Sequence, residues 1–264
     1  MSPPVIPALL ASPKARAALR RALPRSRVRL ALCRSAAQLE RALATELADA
    51  VVVDARLPLA PQVLARCRDA YPNLPRFVYS AFRPDDGGLL ETCIVACGAI
   101  PIIEGVEDAV IGDLILGHTA SSERESTLAQ APRLLRLIEP LQERAWREVL
   151  RQVGGRVRAA DVARTLKVSR EHLSRQFGAG GAPNIKRVID LARTATAADL
   201  LANPGYSVRA VARILRFSSA SHLASSARRV AGVTAAQLPS LGPRGVLAAF
   251  LRGRTRSRVA VRPS

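Results

Sequence analysis

Two segments in the last third of the chain place the same polar side chains on the same apolar frame. The first runs Val162-Ala-Arg-Thr-Leu-Lys-Val-Ser-Arg-Glu-His-Leu173, the second Val211-Ala-Arg-Ile-Leu-Arg-Phe-Ser-Ser-Ala-Ser-His-Leu223. Each reads Val-Ala-Arg-x-Leu, a basic residue, an apolar residue and Ser, followed by a helix that carries His-Leu. Val162 maps 49 residues on to Val211 and His172 maps 50 on to His222, so the second turn holds one extra residue. A repeat of this length marks a duplicated supersecondary unit. The pattern is that of a short helix, a turn and a second helix. Ser169 is placed to cap that second helix, and its hydroxyl can also approach a phosphate. Two such units imply a chain that grips duplex DNA in two places.

The charge distribution agrees. The chain of 264 residues carries a net charge of +19. Residues 1–120 hold 14 basic and 12 acidic side chains, and residues 121–264 hold 26 and 9. The excess therefore sits with the repeat, as expected for a polyanion partner. A general enrichment in Arg, 37 against 3 Lys, does not explain why the first half is almost neutral.

The remaining composition narrows the function. No run of 18 uncharged apolar residues predicts a membrane span. The apolar start at Met1–Leu10 lacks a basic leader, so a cytoplasmic location is expected. Cys33, Cys67, Cys93 and Cys97 are expected to be buried, reduced thiols. Cys93 and Cys97 would share one helix face, but the sole His of that half is His118. No nucleophile elbow, metal pair or phosphate loop is present. The expectation is no enzyme, no catalytic residue, no metal site and no cofactor.

The first half alternates short apolar runs with amphipathic segments. Strands are expected at Val5–Leu10, Val28–Cys33, Ala50–Val53 ending at Asp54, Phe77–Tyr79 and Ile100–Ile103. Helices are expected at Pro13–Leu23, Ser35–Leu47, Pro61–Ala70, Gly88–Cys97 and Val106–Leu116. Such alternation predicts an α/β domain with a doubly wound, parallel five-stranded sheet. Chemistry in such sheets sits at the carboxyl ends of the strands. The last helix, with Val106, Val110, Ile111, Leu114 and Ile115, either covers the sheet or offers a dimer face.

Order and spacing over residues 3–117 resemble the receiver domain of bacterial response regulators. Asp54 ends the third strand with Pro58 four residues on, Ser80-Ala81 ends the fourth, and Gly98-Ala99 precedes the fifth. The resemblance implies a phospho-acceptor region at Asp54 and Ser80 and a magnesium site beside it. Two departures argue against its working. Where receivers carry an acidic pair, the chain reads Leu10-Ala11-Ser12; where they carry a Lys, it reads Glu104-Gly105. One carboxylate alone makes a poor site for a hard cation. The expected reading is a degenerate, receiver-like domain that serves dimerisation, a protein partner or a small ligand. Control by phosphorylation of Asp54 is the alternative.

Residues 119–156 are expected to connect the two halves. Thr119–Thr127 is polar and reads as a linker. Leu134, Leu137, Ile138, Leu141, Ala145 and Val149 form a helical stripe, split into two helices by Pro140. Between the repeats, Asn184–Leu201 predicts a helix of about 27 Å. That length suits two reading helices about 34 Å apart in successive major grooves.

Residues 130–240 resemble the DNA-binding domain of the AraC/XylS family of bacterial transcription regulators. The resemblance rests on Ser169–Phe177, on Arg193-x-x-x-Ala197-x-x-Leu200-Leu201 and on Val208-x-x-Val211-Ala212-x-x-Leu215-x-Phe217-Ser218. Ser221-His222-Leu223 and Gly232-Val233-Thr234 complete it. It implies seven helices, two helix-turn-helix units, binding of double-stranded DNA next to promoters and contact with RNA polymerase there. It places Arg170, Glu171, Ser174 and Arg175 toward bases in the first unit, where Arg can read guanine and Glu can accept from cytosine. In the second unit it places Ala220, Ser221, Ala224 and Ser225 there, all short. Sequence preference is therefore expected from the first unit. Phosphate contacts are expected from Arg216, Arg228 and Arg229, with Ser169, Ser218, Ser219, Lys167 and His172 close by. The family's usual turn glycine is replaced by Lys167 and by Arg216, and a late aromatic by Ala227, which predicts looser packing in the second unit.

The tail, 241–264, is expected to be a basic arm, flexible or partly helical. The domains expected are 1–118, 119–156, 157–240 and 241–264. The function expected is a sequence-specific transcription regulator; a non-specific nucleic-acid-coating protein is the alternative.

Overall fold

The computed structural model describes residues 3–81, 83, 86–105, 110–178 and 181–259, with side chains to 253. The chain divides into two compact units, one of residues 3–123 with 203–206 and one of residues 124–202 with those from 207 on.

The first unit is the α/β sandwich that the alternation predicts. Five parallel strands, β1 (Val5–Leu9), β2 (Arg29–Cys33), β3 (Val51–Asp54), β4 (Arg76–Ser80) and β5 (Ile100–Ile103), lie in the order β2-β1-β3-β4-β5. In β3 every residue is buried, as a central parallel strand requires. Register is set by pairs such as Leu9 with Val53, Val53 with Val78 and Tyr79 with Ile102. Helices α1 (Pro13–Ala22), α2 (Ala36–Thr45) and α3 (Ala60–Ala70) cover the two faces, together with α4 (Gly87–Glu91) and α5 (Ile111–Gly117). Ser12 and Ser35 start α1 and α2 by accepting from Ala15 N at 3.0 Å and Gln38 N at 3.3 Å. One core face holds Leu39, Leu64, Val78 and all four cysteines; the other holds Ile6, Leu19, Phe77 and Ile102.

Two helices differ from expectation. The fourth continues past Glu91 as a π-helical turn, Thr92–Ala96. The fifth starts at Ile111, and Val106 lies outside the described residues. Ile111 and Ile115 are fully buried in the unit's own core. They close the sheet and are not free for a dimer face, which corrects that option for these two residues. Val110 remains exposed.

Gly112 shows how closely α5 seats. A Cβ there would stand 2.2 Å from the carbonyl oxygen of Ala22, at the end of α1. Backbone cannot yield as a flexible side chain does, so Gly112→Ala is expected to cost about 1–3 kcal/mol. Urea unfolding checks this; an unchanged midpoint would show that the two helices are not held at this distance.

The second unit is helical: α6 (Ala120–Thr127, which begins in the first unit), α7 (Ala131–Leu134), α8 (Pro140–Gln152), α9 (Ala159–Thr165), α10 (Arg170–Gly178), α11 (Ile185–Leu201), α12 (Val208–Ile214), α13 (Ala220–Ala231) and α14 (Leu238–Val259). Pro140 opens α8, as its fixed φ favours at the first helical position. Trp146, Ala145 and Val149 are buried. Asn184 caps α11 by accepting from Arg187 N at 2.9 Å. The inward face of α11, from Ile185 through Val188, Ala192 and Ala195 to Leu200, is buried, and α11 packs on every helix from α8 to α14.

Two expectations are corrected here. Thr119–Thr127 is helical rather than a plain linker: the Thr119 hydroxyl accepts from Ser122 N at 3.2 Å and starts α6. Residues 241–264 are not a free arm over the part described. After a break at Gly242 (φ 59°) and Pro243, the chain resumes as helix, and Val246, Leu247 and Phe250 are buried. Arg187 stands over the Phe250 ring at 5.0 Å. The arginines beyond residue 253 lie outside the described side chains.

Candidate nucleic-acid interface

The two repeats fold alike, hydrogen bond for hydrogen bond. In the first, α9 ends as Lys167 N donates to the Arg164 carbonyl (3.1 Å) and Val168 N to that of Ala163 (3.0 Å). In the second, Arg216 N donates to Arg213 (3.1 Å) and Phe217 N to Ala212 (2.8 Å). Lys167 and Arg216 both take φ 56°, the left-handed conformation that glycine adopts most easily. Both turns thus keep the geometry that a glycine would give, and add a cation. Ser169 Oγ then accepts from His172 N at 3.1 Å, and Ser219 Oγ from His222 N at 3.0 Å. The caps correspond, so the extra residue of the second turn is Ser218. Its hydroxyl lies 3.0 Å from His222 Nδ1.

Each unit closes on its own apolar residues. Val162, Leu173 and Phe177 are buried in the first, and Val211, Leu215, Leu223 and Ala227 in the second. Ala227 is fully buried, so the position is closed although no aromatic fills it.

The sequence-selected residues fall on the outer faces. Lys167, Ser169, Arg170, Glu171, Ser174 and Arg175 are exposed and His172 is half-buried. Arg216, Ser218, Ser219, Ser221, Ser225, Arg228 and Arg229 are exposed, and Ala220 and Ala224 half-buried. The first helix thus presents two guanidinium groups and a carboxylate, the second mainly hydroxyls and methyls. Arg229 is engaged within the unit: its Nη2 donates to Asp190 of α11 at 3.0 Å.

Two side chains outside the repeats hold them, and the sequence reading gave neither this role. Arg193 of α11 donates from Nη2 to the Leu215 carbonyl at 2.7 Å. Its guanidinium lies 3.9 Å from the centre of the Phe217 ring, and the Phe217 and His222 rings stand nearly perpendicular with their centres 5.4 Å apart. Burial lowers the Arg193 pKa, against the opposing pull of Asp190. Gln142 of α8 is buried. It donates to the Gln176 carbonyl near the end of α10 at 2.7 Å, and its other end accepts from Glu139 N at 3.1 Å. Arg193 does stand in the motif quoted above, but as a bare motif position. Gln142 carries no such mark.

In the α/β unit Asp54 and Ser80 stand at the ends of β3 and β4, and both are buried. What surrounds Asp54 was not expected: the guanidinium of Arg56 forks onto its two oxygens. That contact is also the main cause that raises the Arg56 pKa. Among the described residues no three His, Cys, Asp or Glu side chains gather as a metal site. The four cysteines are buried free thiols. Burial raises the pKa of Cys33 and Cys93 and pushes Cys67 up to about 11, which leaves these groups protonated and unreactive at neutral pH. No helix among the described residues is long and apolar enough to cross a membrane.

Residues 162–239 match the family described as a helix-turn-helix domain. No curated protein matches the chain. Among solved structures, the chain is similar to the signal receiver domain of an HD domain-containing protein from Pseudomonas fluorescens. The identity is 23% and the TM-score 0.41, covering 47% of this chain and 98% of that one. It is also similar to full-length FixJ from B. japonicum, at 18% identity and a TM-score of 0.39, over 89% of this chain and 100% of that one. Likeness at this level adds nothing to the strand order itself, which is that of doubly wound sheets of the receiver type. The chain therefore carries an AraC-type helix-turn-helix domain in its C-terminal half and a receiver-like α/β domain in its N-terminal half.

Proposed function

We propose that this chain is a sequence-specific, double-stranded DNA-binding transcription regulator. The observation that carries the reading is the pair of equivalent helix-turn-helix units, built around one shared helix, in the half of the chain that holds nearly all the excess charge. Such units set the second helix in the major groove. Arg170, Glu171, Ser174 and Arg175 read bases from α10, while α13, with short side chains at Ala220, Ser221 and Ser225, mainly seats the second unit on the backbone. Lys167, Arg216 and Arg228 contact phosphates. Arg229, tied to Asp190, contributes less than its charge suggests. The family resemblance supports binding next to promoters, with RNA polymerase as a partner. The α/β domain acts as the input or dimerisation module, through a protein or small-ligand partner rather than by phosphorylation.

The reading separates two classes of Arg. Arg175→Ala is expected to cost about 1–3 kcal/mol at the preferred site and relax preference at one base pair, whereas Arg216→Ala weakens all sequences alike. Titration of matched and single-mismatch duplexes checks this. If both variants lose affinity uniformly, Arg175 does not read a base. If the parent protein itself shows no preference, the short side chains of α13 point instead to a coating protein.

A further inference from the structure

The carboxyl end of the sheet is where a receiver holds its metal ion and accepts its phosphoryl group. Here four charged side chains meet there in a different arrangement. Asp54 is fully buried, and the Glu104 side chain is only 7% exposed. Arg56 joins them: Nε lies 2.8 Å from Asp54 Oδ1, Nη2 2.9 Å from Oδ2, and Nη1 2.9 Å from Glu104 Oε2. Lys14 stands 3.6 Å from the other oxygen of Glu104. Two backbone groups complete the shell of Asp54: Ala11 N donates to Oδ2 at 3.0 Å and Arg56 N to Oδ1 at 3.1 Å. A carboxylate offers about four lone-pair sites, and these four donors take them all. Two cations face two carboxylates, so the group is neutral without any added ion.

The residues do not fit a magnesium-dependent phospho-acceptor. Oxygen ligands and a free carboxylate lone pair are both needed for that chemistry. The acidic pair that would supply the ligands is absent, the lone pairs are occupied, and a carboxylate, Glu104, stands where a Lys would receive the phosphoryl group. We propose that Arg56 is a built-in counter-cation, which takes within the chain the place of the divalent ion and closes Asp54 to metal ions and phosphoryl donors. The α/β domain is thereby held in one charge state, and its input arrives elsewhere on its surface. This deepens the reading of the domain as an input module that works without phosphorylation. Its test involves no DNA, so its failure is distinct from failure of the regulator reading.

The experiment uses the full chain. Wild type is expected to show the same melting temperature with and without millimolar magnesium or manganese, and no mass increase with acetyl phosphate. Removal of one partner from a buried ion pair strands the other charge. Because Arg56 is itself partly exposed, Arg56→Met is expected to lower the melting temperature by about 5–10 °C. Arg56→Met/Asp54→Asn, which removes both charges at Asp54, is expected to recover part of that loss. A cation-dependent rise in wild-type melting, or a phosphoryl group found on Asp54, overturns the proposal. So does an Arg56→Met variant that melts like wild type. If Arg56→Met does not fold, the double variant decides: a folded double variant supports the stranded-charge account, and one that also fails to fold contradicts it.

Discussion

Phe177→Ala is expected to destabilise the helical domain by about 3–5 kcal/mol, the largest loss among single side chains of the reading units. Phe177 ends the apolar face of α10 and has no exposed surface. Its removal leaves a void between α10 and the helices that frame it, α8, α9 and α11. The adjacent contact from Gln142 to the Gln176 carbonyl fixes the same end of the helix, so the site has little freedom to collapse. Marginal stability makes such a loss large against the whole. Denaturant unfolding, followed through the buried Trp146, checks it. A cost under about 1 kcal/mol would mean that α10 is not packed through this ring.

Arg193→Ala is the second large effect, and its consequence extends to DNA. The side chain satisfies a terminal carbonyl of α12 and lies over the ring of Phe217. A hydrogen bond from a charged donor contributes about 1.5–3 kcal/mol, and a desolvated cation–π contact about 2. The two share one group and do not add, so the expected loss is about 2–4 kcal/mol. The turn that Arg193 holds carries Arg216, and the ring that it covers touches His222. The second reading helix should therefore lose its seat, and affinity for a two-part site should fall at least about tenfold. Arg193→Lys keeps the charge but not the planar fork and is expected to fall between. The check compares a full site with one that retains only the part read by α10. If Arg193→Ala binds both with wild-type affinity, the clamp is not what positions α13.

Much of this architecture was legible because local and tertiary signals agree. Ser12, Ser35, Pro140, Asn184 and Ser169 mark helix starts that the chain uses. Val51–Val53 announces a strand buried on both faces. The two turns were legible by repetition, and their left-handed residues explain why Lys167 and Arg216 stand where a glycine is usual. Other features gave weaker signals. Helix α6 has no apolar stripe, and its one clear mark is the Thr119 cap. The arginines and the Gly242-Pro243 break of α14 read as an arm because the stripe that packs, Val246, Leu247 and Phe250, is short.

The charged contacts were the least legible. Periodicity sorts apolar from polar residues, but it does not show which polar residue turns inward. Arg193 lies on the inner side of α11, Gln142 is buried on α8, and Arg56 reaches back two residues to Asp54. The first two make contacts that depend on how separate elements meet, and Arg56 folds back locally at the end of β3. For Asp54 the sequence did show what was missing, the acidic pair and the Lys. It did not show that Arg56 would fill the gap.

The two helix-turn-helix units are expected to read one DNA site together. The most direct measurement is selection of bound fragments from random genomic DNA by the purified full chain at about physiological salt, followed by sequencing. The expected result is a shared motif in two parts whose centres lie about 10 base pairs apart on one face of the duplex. The part read by α10 should be the sharper. Recovery of fragments with no shared motif, at a salt concentration where binding is still measured, would contradict it.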